Sequence, residues 1–254
     1  ILFIGDIYGS LGREMIKEKL PKIKEKYKPH FIIANGENIC HGKGINEKYY
    51  KFLLEQGVNV ITLGNHTWDN RSVFDFIDDT DKLIRPANFP DSNPGKGLTF
   101  VKFNAYEVAV ISIQGRTFMP MSNCPFEKVD KLIEEAKKRT NIIFVDFHAE
   151  ATSEKRAMGF YLDGRVSALY GTHTHTQTSD NQILPNGTGY ITDIGMTGPY
   201  YSVLGVSPKC IIEKLKTGLP VKFVNDDGPC VLEGCLFEID NKTGKTVDTV
   251  LIRR

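Results

Sequence analysis

The run Val58-Asn59-Val60-Ile61-Thr62-Leu63-Gly64-Asn65-His66 decides the fold. A short apolar stretch stops at a glycine, and two side chains with lone pairs follow at once. The same event occurs on either side of it. Upstream, Ile1 to Gly5 reads as a strand ending at Asp6, and Phe31-Ile32-Ile33-Ala34 as a second ending at Asn35-Gly36-Glu37. Downstream, Ile142 to Phe147 ends at His148, and Val166 to Tyr170 ends at Gly171-Thr172-His173. Helical periodicity fills the intervals at Leu11 to Tyr27, at Tyr49 to Gln56 with Gly57 as the stop, and at Phe126 to Lys138. Strand and helix in alternation predict a layered α/β fold. Leu98 to Phe103 and Glu107 to Ile113 read as a hairpin, and Gly189 to Ile194 as another strand. Val221 to Val224, Cys230 to Ile239 and Thr246 to Ile252 read as antiparallel strands. No internal repeat or linker interrupts the chain, so a single domain over residues 1–254 is expected.

Composition narrows the function. With 41% hydrophobic and 25% charged residues the chain is globular rather than disordered. A net charge of +1 with no basic tract argues against a stable nucleic-acid complex, so a small substrate is expected. Cys40, Cys124, Cys210, Cys230 and Cys235 are scattered, odd in number and without a C-x-x-C pair. They read as reduced thiols of a cytoplasmic protein. The run Ile1-Leu2-Phe3-Ile4 is too short for a signal peptide, and no apolar run is long enough to span a bilayer, so no membrane partner is expected.

Asp6, Glu37, Asn65, His148 and His173 all stand at carboxyl ends of predicted strands, the edge where α/β folds bind ligands. Taken singly, Asp6 and Asn65 read as turn formers. The joint pattern carries the signal. His173-Thr174-His175 adds two histidines at alternate positions, which on a strand face one side. Oxygen and nitrogen donors of this kind suit Fe, Mn or Zn. With Asn38 they are too many for one ion and enough for two, and the two oxygens of Glu37 can bridge a pair about 4 Å apart. Asp6 and Glu37 bring only two negative charges against two divalent ions, which leaves the site positive and favours an anionic substrate.

The strings Gly5-Asp6, Gly36-Glu37-Asn38, Gly64-Asn65-His66, His148 and Gly171-Thr172-His173-Thr174-His175 resemble the calcineurin-like metallophosphoesterase superfamily. Three positions depart from its usual pattern: Tyr8 stands in the slot of a first histidine, Glu37-Asn38 where an aspartate is usual, and Thr67 where an acid follows His66. These departures, with His41-Gly42-Lys43-Gly44, Asp146-Phe147-His148-Ala149-Glu150 and Thr192-Asp193-Ile194-Gly195-Met196, resemble the YmdB-type bacterial phosphodiesterases over nearly the whole chain. The resemblance implies a layered α/β/β/α sandwich with mixed sheets. It implies Asp6, Glu37, Asn38 and His175 around one transition-metal ion, and Glu37, Asn65, His148 and His173 around a second. It implies His66 as the acid for the leaving oxygen. The implied reaction is hydrolysis of 2′,3′-cyclic nucleotides by a metal-bound hydroxide, and the resemblance leans to a homo-oligomer. Two other readings are a phosphomonoesterase or nucleotidase on the same site, and a non-catalytic metal-binding scaffold.

Some neighbours are open to two readings. His41 and Lys43 touch the phosphate or belong to a surface loop; Arg116 approaches the nucleotide. Phe118 and Trp68 read as packed core rather than stacking platforms. Thr152 and Glu154 read as a capping pair, Asp69 as a helix-start residue rather than a partner of His66, and Gly195 to Tyr201 as a wall of the pocket.

Overall fold

Alternate residues of a strand point to opposite faces, and in the buried strands of this chain both faces meet apolar surroundings. A computed structural model describes all of residues 1–254. Leu2 and Ile4 join Ile16, Leu20 and Leu53, which come from the helices Gly9–Tyr27 and Glu47–Glu55. Phe3, between them, points the other way, into a cluster with Phe144, Tyr170 and Phe237. Likewise Ile143, Val145 and Phe147 meet Val129, Ile133, Met158 and Leu162 of the helices Pro125–Lys137 and Thr152–Leu162. Three apolar clusters therefore separate four layers, and the order is α/β/β/α as expected.

The first sheet runs, in space, Asp6–Ile7, Met196–Pro199, Cys230–Ile239, Leu2–Ile4, Ile32–Asn35, Val60–Thr62 and Leu83–Ile84, with Thr246–Arg253 on the other side of Cys230–Ile239. The second runs Gln182–Ile183, Gly189–Ile191, Ala168–Thr172, Ile143–His148, Tyr106–Gln114 and Leu98–Phe103. Both are mixed. Leu2–Ile4, Ile32–Asn35 and Val60–Thr62 are parallel neighbours, as are Tyr106–Gln114, Ile143–His148 and Ala168–Thr172. Parallel pairing brings their carboxyl ends, and the polar residues there, to one edge of each sheet.

Several expectations need correction. Val221 to Val224 forms no strand: Lys222, Phe223 and Val224 are exposed, and the segment touches strand-like backbone only through the single bridge Val206–Asn225. The predicted strand Gly189 to Ile194 stops at Ile191, and Met196–Pro199, unforeseen because of its glycine and proline, takes its own place beside Asp6–Ile7. Pro208–Thr217, a helix not foreseen, carries Ile211, Ile212 and Leu215 on an apolar stripe, yet none of its residues is buried. Phe118 is 89% exposed with φ +61°, on a loop rather than in the core. Trp68 packs at the edge of the first helical layer, its ring stacked on Phe74 at 5.1 Å. The five cysteines are free, and no helix is long and apolar enough to cross a membrane.

Phe3 is the hinge of the inter-sheet core, 5.2 Å from the Phe144 ring and 4.3 Å from Tyr170. Phe3→Ala is expected to cost about 3–5 kcal/mol by loss of burial and creation of a cavity. Equilibrium urea unfolding checks it; a change below about 1 kcal/mol would mean that the sheets re-close without it.

Candidate metal centre and active site

His148 ends the strand Ile143–His148 on the same face as Asp146 and Phe144, looking between the sheets. Its ring is held from behind. Nδ1 lies 2.9 Å from Thr172 Oγ1, and that hydroxyl donates to Asp146 Oδ1 at 2.6 Å. Because the Thr172 proton goes to Asp146, its oxygen must accept from His148 Nδ1–H. Asp146 Oδ2 accepts from Thr62 Oγ1 of the first sheet. The relay leaves Nε2 facing forward. There it meets Asn65 Oδ1 at 2.9 Å, Glu37 Oε1 at 3.0 Å and His173 Nδ1 at 3.1 Å. Gly64 makes room for this approach, since a Cβ there would stand 2.3 Å from the His148 ring.

Four donor atoms around one point cannot all be satisfied by one proton. Glu37, His148 and His173 offer atoms within 4.8 Å of one another, a grouping able to hold a cation. A second cluster adjoins it. His175 Nε2 lies 3.3 Å from Asn38 Oδ1 and 3.8 Å from Asp6 Oδ1. Asp6 Oδ1 is buried with no hydrogen-bond partner, and its other oxygen accepts from His173 N–H at 3.3 Å. An orphaned buried carboxylate oxygen beside a buried imidazole is costly unless a cation joins them. The donor set thus fits a bound cation: Glu37 Oε1 faces His148, and its Oε2 accepts from His66 N–H at 2.9 Å.

Protonation follows the same lines. Burial alone would raise Glu37, but the charge and hydrogen bond of His148, with His66, bring it down to about 2. Burial alone would depress His148, but Glu37, then Asp6 and Asp146, raises it to about 9. Burial, reinforced by the charge of His148, drops His173 to about 3. Burial likewise drops His175 to about 4. Burial holds the Asp6 carboxyl well above the usual range, and the carboxylates Glu37, Asp193 and Asp146 add to it against the pull of His148. Burial also raises Asp146 to about 6. Without metal, then, His148 carries the proton that occupies the centre, and His173 and His175 keep their lone pairs free.

All seven sequence-predicted donors come together, but the two histidines do so in an unexpected way. The strand ends at Thr172, and His173 (φ +96°) and His175 (φ +57°) lie in a turn rather than on one strand face. Each is aimed at a different cluster. Such backbone costs about 1–3 kcal/mol per residue. Asp193 holds it: Oδ2 accepts from Thr174 N–H at 3.1 Å and its hydroxyl at 2.8 Å, and pairs with the fully buried Lys155 at 2.7 Å. Tyr8, in the slot of the missing histidine, lies edge-on 6.1 Å from the His175 ring, its hydroxyl donating to Asn225 Oδ1 at 2.9 Å.

Around the donors the outcome is mixed. His66 Nδ1 lies 2.8 Å from Asp69 Oδ2, so Asp69 is the partner of His66 and not merely a helix-start residue. The turn after Asn65 brings the two side chains, three positions apart, onto one side. Lys43 reaches the same carboxylate, 3.9 Å away at the rim. His41 is exposed with φ +52°, and Arg116 is exposed, its backbone N–H donating to Glu154 and its side chain unbonded. Glu154 therefore does not cap its helix, which begins after Ala151 without a side-chain cap; it ties the loop of Arg116 and Thr117. Sequence reasoning missed Asp146, Thr172, Asp193 and Lys155. Asp146 had a signal, a charge two residues before His148 and so on its face; Lys155 and Asp193, far apart in the chain, had none.

Layers and donors of this kind define an α/β/β/α sandwich with a candidate cation site at the carboxyl edges of its sheets. A family model described as YmdB-like protein matches residues 2–252, and the chain belongs to that family. It is 60% identical over 247 residues to a Bacillus subtilis protein named 2′,3′-cyclic-nucleotide 2′-phosphodiesterase, covering 97% of this chain and 94% of that one. The crystal structure of a Mycoplasma pneumoniae protein described as a novel phosphatase superposes with a TM-score of 0.94 at 39% identity, covering 100% of this chain and 92% of that one. A hypothetical protein from Thermus thermophilus superposes with a TM-score of 0.93 at 37% identity, covering 100% of this chain and 98% of that one.

Two outcomes are expected. Because His148 holds its proton up to about pH 9 without metal, loading with Mn²⁺ near pH 7.5 expels it, and affinity rises with pH toward 9. Titration calorimetry in buffers of different ionisation enthalpy reads this as about one proton or more released; a slope of zero would contradict it. Thr172→Val cuts the relay behind His148 and is expected to weaken metal binding about 10–100-fold, measured by competition with a chromogenic chelator.

Proposed function

We propose that the chain hydrolyses 2′,3′-cyclic nucleotides at a binuclear metal site. It is a phosphoric ester hydrolase, and the observation that carries the finer reading is the crowding of Glu37, Asn65 and His173 around His148 Nε2 beside the orphaned Asp6 carboxylate. The Bacillus subtilis relative's name supplies the substrate class. Asp6, Glu37, Asn38 and His175 would hold one ion, and Glu37, Asn65, His148 and His173 the other. Ions there would supply positive charge for the phosphoryl oxygens and activate water near neutral pH.

The chain's own residues do the rest. Asp69 accepts from His66 Nδ1–H, which turns Nε2 outward as the proton donor. As the water oxygen bonds to phosphorus and gives up a proton to solvent, the P–O2′ bond breaks and His66 delivers its proton to O2′, giving a 3′-monophosphate; His66 then recovers a proton from solvent. The five-membered cyclic phosphate carries a single charge and needs no extended basic surface, in keeping with a chain of net charge +1.

The test joins metal content to turnover on one preparation. About two transition-metal ions per chain, with chelator-sensitive hydrolysis of 2′,3′-cyclic AMP, is the expected result. His66→Ala should lower kcat about 10²–10⁴-fold with metal content unchanged. Protein that binds no Mn or Fe, or that favours the monoester over the cyclic diester, would sink the proposal.

A further inference from the structure

A cavity of about 550 Å³ opens beside His175, within the range that buries small organic molecules. Tyr200, Tyr201, Leu204, Glu233 and Arg253 line it together with His175. Tyr200 and Tyr201 are 43% and 68% exposed, and their rings meet edge to face at 4.8 Å. Arg253 lies over the Tyr200 ring at 5.8 Å and sets its Nε 2.8 Å from Glu233 Oε1. Its two terminal nitrogens make no side-chain bond to the rest of the chain. Exposed aromatic faces beside a fork of free donors, against a metal-donor histidine, suit a flat heterocycle with polar edges.

We propose that this cavity seats the nucleoside of the substrate, with the base against Tyr200 and Tyr201 and Arg253 donating to its edge. The assignment rests on the cyclic-nucleotide reading above and adds which residues choose the substrate. It also sets the substrate's size. The adjoining cavity, about 680 Å³, shares Gln177 and Arg253 and carries Asp180, with no cation besides Arg253. A polynucleotide leaving that way would need basic partners for its phosphates. The substrate is therefore a mononucleotide rather than the cyclic end of a long RNA. Phe118, exposed on the loop after Gln114 whose first residue, Gly115, bonds the His148 carbonyl, lines neither cavity.

The experiment compares 2′,3′-cyclic AMP with its base-free counterpart, methyl riboside 2,3-cyclic phosphate. Stacking of one base is worth about 1–3 kcal/mol, so wild type should show a KM about tenfold or more higher for the base-free compound. Tyr200→Ala/Tyr201→Ala should raise KM for cyclic AMP about tenfold, keep kcat, and leave the base-free compound unaffected. An unchanged KM for cyclic AMP, or equal losses on both compounds, overturns the proposal. So does a selective loss in Phe118→Ala, which would put the base on the opposite side. If wild type hydrolyses neither compound, the phosphodiesterase reading falls by itself. The cavity is then judged by calorimetric binding of adenosine 3′-monophosphate, which must weaken in the double variant for the assignment to stand.

Discussion

Asp146 is a carboxyl group sealed between two sheets, and the geometry of the centre is referred to it. One of its oxygens takes a hydroxyl from the first sheet, Thr62, and the other takes Thr172 from the second. Through Thr172 it fixes the His148 ring, and His148 is the atom-scale meeting point of Glu37, Asn65 and His173. A buried charge without partners would be expelled or neutralised. Here its partners come from both sheets, so satisfying Asp146 also fixes how the sheets stand to one another at their carboxyl edges. The aromatic packing of Phe3, Phe144 and Tyr170 sets their spacing lower down.

The centre is built so that a cation is always wanted there. Two carboxylates and three imidazoles stand closer than their lone pairs tolerate in neutral form. A proton on His148 relieves this, and a bound cation would relieve it in the same way. The strained turn at His173 and His175 belongs to the same design. Its backbone cost is borne by the Asp193–Lys155 pair, buried well away from solvent.

The strand ends were legible because their signal is local: an apolar run, a glycine, then a donor, as at Leu63-Gly64-Asn65. Alternation of such strands with helices gave the layered α/β class, and the family resemblance gave the four-layer order. What was not legible depends on contacts distant in sequence. Val221 to Val224 has strand-forming residues but its backbone bonds only Ser207, through the Val224 carbonyl, and Pro208–Thr217 leaves its apolar Ile212 and Leu215 exposed. Glu154 looks like a helix cap until the loop of Arg116 and Thr117 is seen beside it. Asp69 was within reach of sequence reasoning, only three residues from His66, but spacing alone cannot tell a helix start from a turn that folds the carboxylate back. The positive-φ backbone of His173 and His175 is not fixed by residue type, since histidine, though commoner there than most residues, stands mostly at negative φ.

The place of Asp6 in the first sheet has a consequence for how the molecule comes off the ribosome. Its strand is laid against Met196 and Thr197, and the strand before it against Gly234 to Leu236. Asp6 emerges long before these partners, and its backbone N–H waits for the Gly195 carbonyl. The second sheet, whose central strands lie closer together along the chain, can form while synthesis continues. Leu2 to Ile4 meets Ile32 to Ala34 early in the chain, but Asp6 reaches its final place only when Gly195 and Met196 have joined it, so the donors depend on stretches of chain far apart in synthesis.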